Sequence, residues 1–321
     1  MLLGFDIGGT KCSIILGSGG DAGELHILHK SVFPTDRQAN AMIQFLFQEA
    51  DELMKKKGIQ PNQVNGIGIS CGGPLDSKRG IIQSPPNLPG WDNIPIVQMA
   101  EDHFRKKAFL QNDANACAVA EWKYGVGRGY NNLVFLTFGT GMGAGLILDG
   151  RLYSGTNDLA GEVGHLRLAE MGPVGFGKAG SFEGYCSGGG IAQLGQIQVR
   201  QKLQMGEAVS FCRSLQELPM LTAKIIAEAA YRGDETALNI YKTCGHYLGR
   251  GLALLIDILN PEIIIMGSIY GRAESLLKPA MEKSLSEESI ALSRSHCKIV
   301  PAGLGENIGD MAALCLAEMI S

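Results

Sequence analysis

One pattern, used twice, constrains this chain more than any other feature. MLLGFDIGGTKCSIILG at the N-terminus and NNLVFLTFGTGMGAGLILDGRLYSG from residue 131 each read as an apolar strand, a glycine turn and a second strand rich in β-formers. Glycine allows a sharp reversal and lets a ligand or another backbone come close. The first strand also carries a carboxylate, Asp6, to the edge of its turn. A chain that builds this hairpin twice reads as two related α/β domains, and 321 residues exceed what one hydrophobic core usually organises.

Composition narrows the class of partner. Hydrophobic residues at 45%, charged residues at 19% and 44 glycines fit a globular α/β chain with many tight turns and argue against disorder. A net charge of -4 supplies no basic stripe for nucleic-acid phosphates or anionic lipid, which leaves a small molecule as the expected partner. The eight cysteines stand singly, without a C-x-x-C pair, and read as reduced, mostly buried thiols. Asp6 comes too early for the apolar core of a signal peptide, and no run nears the ~18 apolar residues of a membrane span, so the expected location is cytoplasmic.

Between the two hairpins, residues 40–57 (NAMIQFLFQEADELMKKK) spell an amphipathic helix with Met42, Phe45, Leu46 and Leu53 inward and a basic C-terminus. NGIGIS reads as a strand ending in CGGP, and a second helix is expected over Ile96–Lys106. AFLQNDAN is a short strand that delivers Asn112 and Asp113 to its end; ANACAVAEWKYG then reads as a helix stopped by Gly125. Beyond the second hairpin the spacing predicts helical segments to about Arg232 and a helix near Glu235–Leu259. A buried strand PEIIIMGS reaching Gly267 follows, with a closing amphipathic helix in NIGDMAALCLAEMIS.

Neither glycine turn matches G-x-G-x-x-G or G-x-x-x-x-G-K-[ST], so dinucleotide and P-loop readings are disfavoured. Each turn alone could be a plain hairpin, whereas two together suit backbone amides aimed at phosphate. Asn112 and Asp113 either cap a helix or face a ligand. The run of polar strand ends at Asp6, Gly72–Gly73, Asn112–Asp113 and the turn at 139 favours the ligand. Glu162 and His165, three apart, could form part of a metal site, a sugar-binding pair or a solvated surface. On spacing alone GHLRLAEMGPVGFGKAGSFEGY (Gly164–Tyr185) stays open between metal loop, phosphate loop, substrate wall and linker.

Taken in order across nearly the whole chain, DIGGTK, CGGPLD, NLPGW, QNDANACAVAE, FGTGMGAGLILDGRLYSG, AGEVGH, GSFEGYCSG and NPEIIIMGS resemble the ROK family of sugar kinases. The resemblance implies an actin/hexokinase-like (ribonuclease H-like) α/β fold of two domains with ATP and sugar in the interdomain cleft. Residues 1–118, joined by a C-terminal helix over 306–321, would form one domain, and residues 119–305, with helical insertions, the other. It implies ATP with Mg²⁺, held by Gly4, Phe5, Asp6, Ile7, Gly8, Gly9, Thr10 and Lys11 and by Gly139, Thr140, Gly141, Met142, Gly143, Ala144, Gly145 and Leu146. Thr10 and the turn amides would meet the β- and γ-phosphates, and Asp6 would position Mg²⁺ through water. Lys11 either meets a phosphate or is a solvated strand residue. Gly267 would lie by the adenosine, with Ser268 where the family usually has a second glycine.

The same resemblance assigns the sugar to Gly73, Asn87, Asn112, Asp113, Glu162, His165 and Glu183. Asp113 becomes the general base that takes the proton of the attacking hydroxyl, at C6 of glucose. Fructose, allose, N-acetylglucosamine or N-acetylmannosamine are alternative substrates, and a non-catalytic sugar sensor is the alternative role. Relatives often form homodimers. Some carry a DNA-binding domain ahead of the kinase-like part; this sequence opens on the first phosphate strand, so no nucleic-acid partner is expected. Many members also follow the histidine of E-x-G-H with C-x-C-G-x-x-G-C-x-E, whose cysteines join it on structural zinc. Here Val174, Phe176 and Ser181 stand at the cysteine positions and Cys186 is a lone thiol, so no zinc is expected. Val174 and Phe176, buried and touching, would keep His165 aimed at the sugar.

Overall fold

The structure is a computed structural model that describes residues 1–19 and 24–321. It opens with the strands β1 (Leu2–Ile7), β2 (Lys11–Gly19) and β3 (Leu25–Pro34), followed by helix α1 (Ala39–Lys56). Strand β4 (Gly66–Cys71) leads through a small hairpin, β5 (Leu75–Asp76) and β6 (Ile81–Ile82), to α2 (Ile96–Phe104) and β7 (Ala108–Asn112). Helix α3 (Asp113–Tyr124) starts directly on β7 and precedes β8 (Leu133–Phe138), β9 (Met142–Leu148) and β10 (Arg151–Leu152). A second small hairpin, β11 (Val174–Gly175) and β12 (Lys178–Ala179), comes before α4 (Phe182–Tyr185), α5 (Gly188–Gln204), α6 (Ala223–Tyr231) and α7 (Glu235–Leu259). The chain closes with β13 (Ile263–Met266), α8 (Ile269–Glu288), α9 (Ala291–His296), β14 (Lys298–Pro301) and α10 (Ile308–Glu318). Two compact units result: unit 1 is Met1–Asn131, Gly145–Ala160 and Gly303–Ser321, and unit 2 is Asn132–Ala144 and Gly161–Ala302.

Unit 1 is built on a sheet of order β3-β2-β1-β4-β7, antiparallel across β3, β2 and β1 and parallel from β1 through β4 to β7. Helix α1 covers one face with Met42, Ile43, Leu46, Phe47, Ala50 and Met54, while Phe45 and Leu53, also read as inward, sit at the margin of that core. Phe5, Phe47 and Phe104 stack in a cluster with ring centroids 5.1 to 6.0 Å apart. Burying one such side chain contributes about 1.5 to 3 kcal/mol. Helix α2 stops at Phe104, two residues short of the expected Lys106, because Arg105 turns left-handed at φ 54.

Helix α10 corrects the sequence reading. Instead of an amphipathic helix with a wet face, it buries an unbroken run from Asp310 to Ala317. It lies against β1, β4 and α3, so no side is left for water. Close approach is possible because β4 offers glycine: a Cβ at Gly68 would collide with the Ala313 carbonyl, and one at Gly66 with that of Ala317. The first division between units also falls after Asn131 instead of residue 118, since α3 stays with α10 in unit 1.

In unit 2, β13 pairs in parallel with both β8 and β14. Helices α7 and α8 run close together because Gly245 and Gly249, one turn apart on α7, face the carbonyls of Leu277 and Met281. All eight cysteines are free thiols and only Cys297 is not buried. No helix among the described residues is long and apolar enough to cross a membrane.

Candidate active site

The parallel register of unit 1 pairs Ile7 with Cys71 and Cys71 with Asn112, so the C-terminal ends of β1, β4 and β7 lie side by side. Ligands of open α/β sheets gather outside such ends. Each end leads into expected site residues. The first glycine turn is closed by Gly8 N–H donating to the Lys11 carbonyl at 3.0 Å and braced by the Thr35 hydroxyl donating to the Gly8 carbonyl at 2.7 Å. A Cβ at Gly9 would collide with the Asn87 carbonyl, a Cβ at Gly72 would fall 3.3 Å from Asn87 Nδ2, and one at Gly73 3.1 Å from Asn112 Nδ2. Gly9, Gly72, Gly73, Asn87 and Asn112, far apart in sequence, therefore meet.

Asn112 resolves the choice between cap and ligand by being a cap whose amide also reaches the neighbouring loop. Its Oδ1 accepts the Ala114 N–H at 2.9 Å as the N-cap of α3, while Nδ2 stands against Gly73. Beneath it the buried Gln111 accepts from Asn112 N–H at 2.7 Å and from Asn115 Nδ2 at 3.1 Å, which fixes the strand-to-helix junction. Asp113 Oδ1 accepts the Ala114 N–H at 2.8 Å. The residue is open to water on its surface yet ringed by protein, and that surrounding mass pushes its carboxyl above the ordinary 3.8. Hydrogen bonds from Ala114 N–H and its own amide pull the other way.

Asp6 is pushed from 3.8 to about 6, first by burial, then by the charges of Asp113 and Asp310, with Lys30 and Lys11 opposing. Lys30 and Asp310 were not anticipated from sequence. Lys30 Nζ donates to Asp310 Oδ2 at 2.7 Å, the Asp310 side chain is only 5% exposed, and a Cβ at the adjacent Gly309 would lie 3.3 Å from Asp6 Oδ2. A single acid in the otherwise apolar GDMAALCLA was the available signal, because a buried carboxylate needs a cation or hydrogen-bond donors. Among the described residues no three His, Cys, Asp or Glu side chains are placed to hold a metal. An ion that keeps its waters and takes its remaining ligands from phosphate needs only one or two carboxylates, and the mutually repelling Asp6 and Asp113 fit such an Mg²⁺.

In unit 2 the turn after β8 is closed by Gly139 N–H donating to Gly141 O at 3.2 Å and by Gly143 N–H donating to the Thr137 hydroxyl at 2.8 Å. The first residue of α5, Gly188, donates to Gly139 O at 2.7 Å, with Ser187 as the helix's N-cap. A helix N-terminus beside a glycine turn is a favourable place for an anion. This use of Ser187–Gly190 was not read from the sequence, although a serine followed by three glycines at the start of a helix could have suggested it. Glu183 Oε2 accepts the Met142 N–H at 3.0 Å. A Cβ at Gly164 would collide with Met142 O and lie 3.2 Å from Glu183 Cβ, so the 3₁₀ turn Val163–His165 sits beside Glu183 and the start of β9. Glu162, exposed, and His165, half-buried, flank Gly164. Gly267 N–H donates to Leu136 O at 2.9 Å, and Ser268, at φ 46, holds backbone that suits the glycine expected there.

The expected burial of Val174 and Phe176 is wrong. Val174 is 46% and Phe176 63% exposed. Polar groups hold the loop instead. Gln193 receives the Val174 N–H at 2.9 Å and donates to its carbonyl at 2.8 Å; Lys178 Nζ donates to the His165 carbonyl at 2.6 Å. The Tyr185 hydroxyl donates to Met171 O at 2.9 Å, and buried Ser181 caps α4 by accepting the Gly184 N–H at 3.1 Å.

Two α/β units, each carrying a glycine turn, make this an actin/hexokinase-like fold. The chain belongs to the ROK family, whose model matches residues 2–320. It is 32% identical to a glucokinase of Halalkalibacterium halodurans over 86% of this chain and 83% of that one. Among solved structures it is similar to a ROK family glucokinase from Streptomyces griseus in complex with glucose and AMPPNP, with a TM-score of 0.76 and 27% identity over 99% of both chains. It is also similar to a ROK family transcriptional regulator, a homologue of the E. coli Mlc protein, with a TM-score of 0.84 and 25% identity over 99% of this chain and 78% of that one.

Proposed function

We propose that this protein transfers the γ-phosphoryl group of ATP to a hexose, with glucose as the first candidate and its C6 hydroxyl as the acceptor. The observation that carries the reading is the meeting, at three aligned strand ends, of a glycine turn, two asparagine amides and the Asp6 and Asp113 carboxylates. Likeness to glucokinases, one of them solved with glucose and an ATP analogue, supports the substrate class.

In this reading Gly73, Asn87, Asn112, Glu162, His165 and Glu183 are the residues that recognise the sugar. A hexose offers hydroxyls that both donate and accept, which amides, carboxylates and an imidazole can match. Asp113 accepts the proton of the attacking hydroxyl; its raised proton affinity suits a base. Thr10 and the amides of Gly8–Gly9 and Gly139–Gly145 bind phosphate oxygens, and Gly267 lies by the adenosine. Asp6 would hold Mg²⁺ through water, and the ion would neutralise charge on the β- and γ-phosphates. Positioning and charge stabilisation account for most of the rate in phosphoryl transfer. A homodimer, testable by light scattering, completes the proposal.

Likeness to a transcriptional regulator favours one second reading, a sugar-binding protein that does not phosphorylate. Asp113→Asn separates the two. A kinase loses about 10²- to 10⁴-fold in kcat, the size of general-base assistance, while glucose binding by calorimetry stays measurable. Equal turnover by wild type and variant would remove Asp113 from the mechanism.

A further inference from the structure

The turn between β11 and β12 holds an aromatic side chain where backbone geometry disfavours one. Phe176 and Gly177 form its two central residues, at φ 43 and φ 74, the left-handed pair of a type I′ turn. That first position prefers asparagine, aspartate or glycine. A bulky residue there is an outlier, and the ring gains little from burial because Phe176 is 63% exposed.

Its surroundings show what the ring faces. Phe176 stands edge-to-face with the His165 imidazole, ring centroids 5.0 Å apart at 83°. The preceding Gly175 presses on Glu183, since a Cβ there would lie 2.8 Å from Glu183 Cβ. On the other arm, Lys178 Nζ grips the His165 carbonyl at 2.6 Å, and Gln193 pins Val174 through both its N–H and its carbonyl. The hairpin is thus fastened to the residues on which the sugar reading rests, while its aromatic tip remains uncovered.

We propose that Phe176 is a specificity-determining residue: its edge contact holds the His165 imidazole in one orientation, and its open surface receives the C–H face of the hexose that His165 binds. This rests on the hexose-kinase reading. The chemistry is complementary, because a pyranose presents apolar C–H groups between its hydroxyls, an aromatic ring takes the former and an imidazole the latter.

Phe176→Asn tests this, because asparagine suits the turn and removes the ring. The expected result is an unchanged or higher melting temperature together with an about 3- to 10-fold weaker hexose affinity, the size of one aromatic contact. The KM for ATP should be unchanged and kcat at saturating hexose should stay within about twofold. Phe176→Tyr should restore hexose affinity. Unchanged hexose affinity in Phe176→Asn, or a fall in melting temperature that accompanies the loss, would overturn the proposal and leave the ring a structural prop. Failure of the underlying reading is distinguishable, since the wild type would then phosphorylate no hexose at all.

Discussion

Replacing Asp6 by asparagine should stabilise the ligand-free protein. Burial, Asp113 and Asp310 raise the Asp6 carboxyl from 3.8 to about 6, against the pull of Lys30 and Lys11. Each pH unit is worth about 1.36 kcal/mol, so keeping this group charged at pH 7 costs the folded state about 3 kcal/mol. Asparagine removes the charge but still has an amide to satisfy in the same place, which leaves an expected net gain of about 1 to 2 kcal/mol. The folded-state pKa lies above the unfolded one, so folding takes up a proton between about pH 4 and 6. The cost is therefore present in full above about pH 6 and disappears as the pH falls through 3.8, and the wild type gains stability relative to the variant on acidification. Urea unfolding followed by tryptophan emission is a suitable assay, because both tryptophans, Trp91 and Trp122, lie with Asp6 in unit 1. The variant should lead clearly at pH 7.5, by less at pH 5 and not at all near pH 4. A variant less stable than wild type at pH 7, or a difference independent of pH, would refute the reasoning. The same change should cost turnover, since the charge that destabilises the empty protein is the one proposed to serve Mg²⁺.

Other perturbations test other parts of the molecule. Glu121 is fully buried and its two oxygens accept Val126 N–H at 3.0 Å and Leu304 N–H at 2.8 Å; Glu121→Ala orphans both donors and should cost about 3 to 5 kcal/mol in the same urea assay. Ser268→Gly relieves a left-handed backbone at φ 46 and should gain about 1 kcal/mol by calorimetry, whereas a loss would mean that the Arg272 bond to its hydroxyl outweighs the strain. Elemental analysis of the purified protein should find far less than one zinc per chain, because serine, valine and phenylalanine stand at the cysteine positions.

What the sequence disclosed followed the range of the interactions involved. Strand–turn–strand patterns are local, so both glycine hairpins and the strand end at Asn112–Asp113 were legible, as was α7 from Glu235 to Leu259. Strand β3 was not, because its apolar residues fall on both phases: Leu25, Ile27 and Phe33 turn inward while Leu28 and Val32 are exposed, which blurs the period-two signal. The Lys30–Asp310 pair joins residues 280 positions apart, and no periodicity announces it. Distance also explains why α10 read as amphipathic: the strands and helix that cover it, β1, β4 and α3, lie about 180 residues or more away in sequence. Val174 and Phe176 failed for the opposite reason. Their residue types say buried, but Phe176 sits in a two-residue turn at positive φ and Val174 on a small two-stranded hairpin, and residue type does not encode that placement.

The most direct test of the central claim is ADP release by the purified wild-type protein given Mg-ATP and a panel of hexoses and N-acetylated hexoses. The account predicts hexose-dependent ADP, formed one-for-one with a sugar 6-phosphate, and glucose among the substrates turned over. Glucose binding without ADP above the hexose-free rate, for every sugar in the panel, would contradict it.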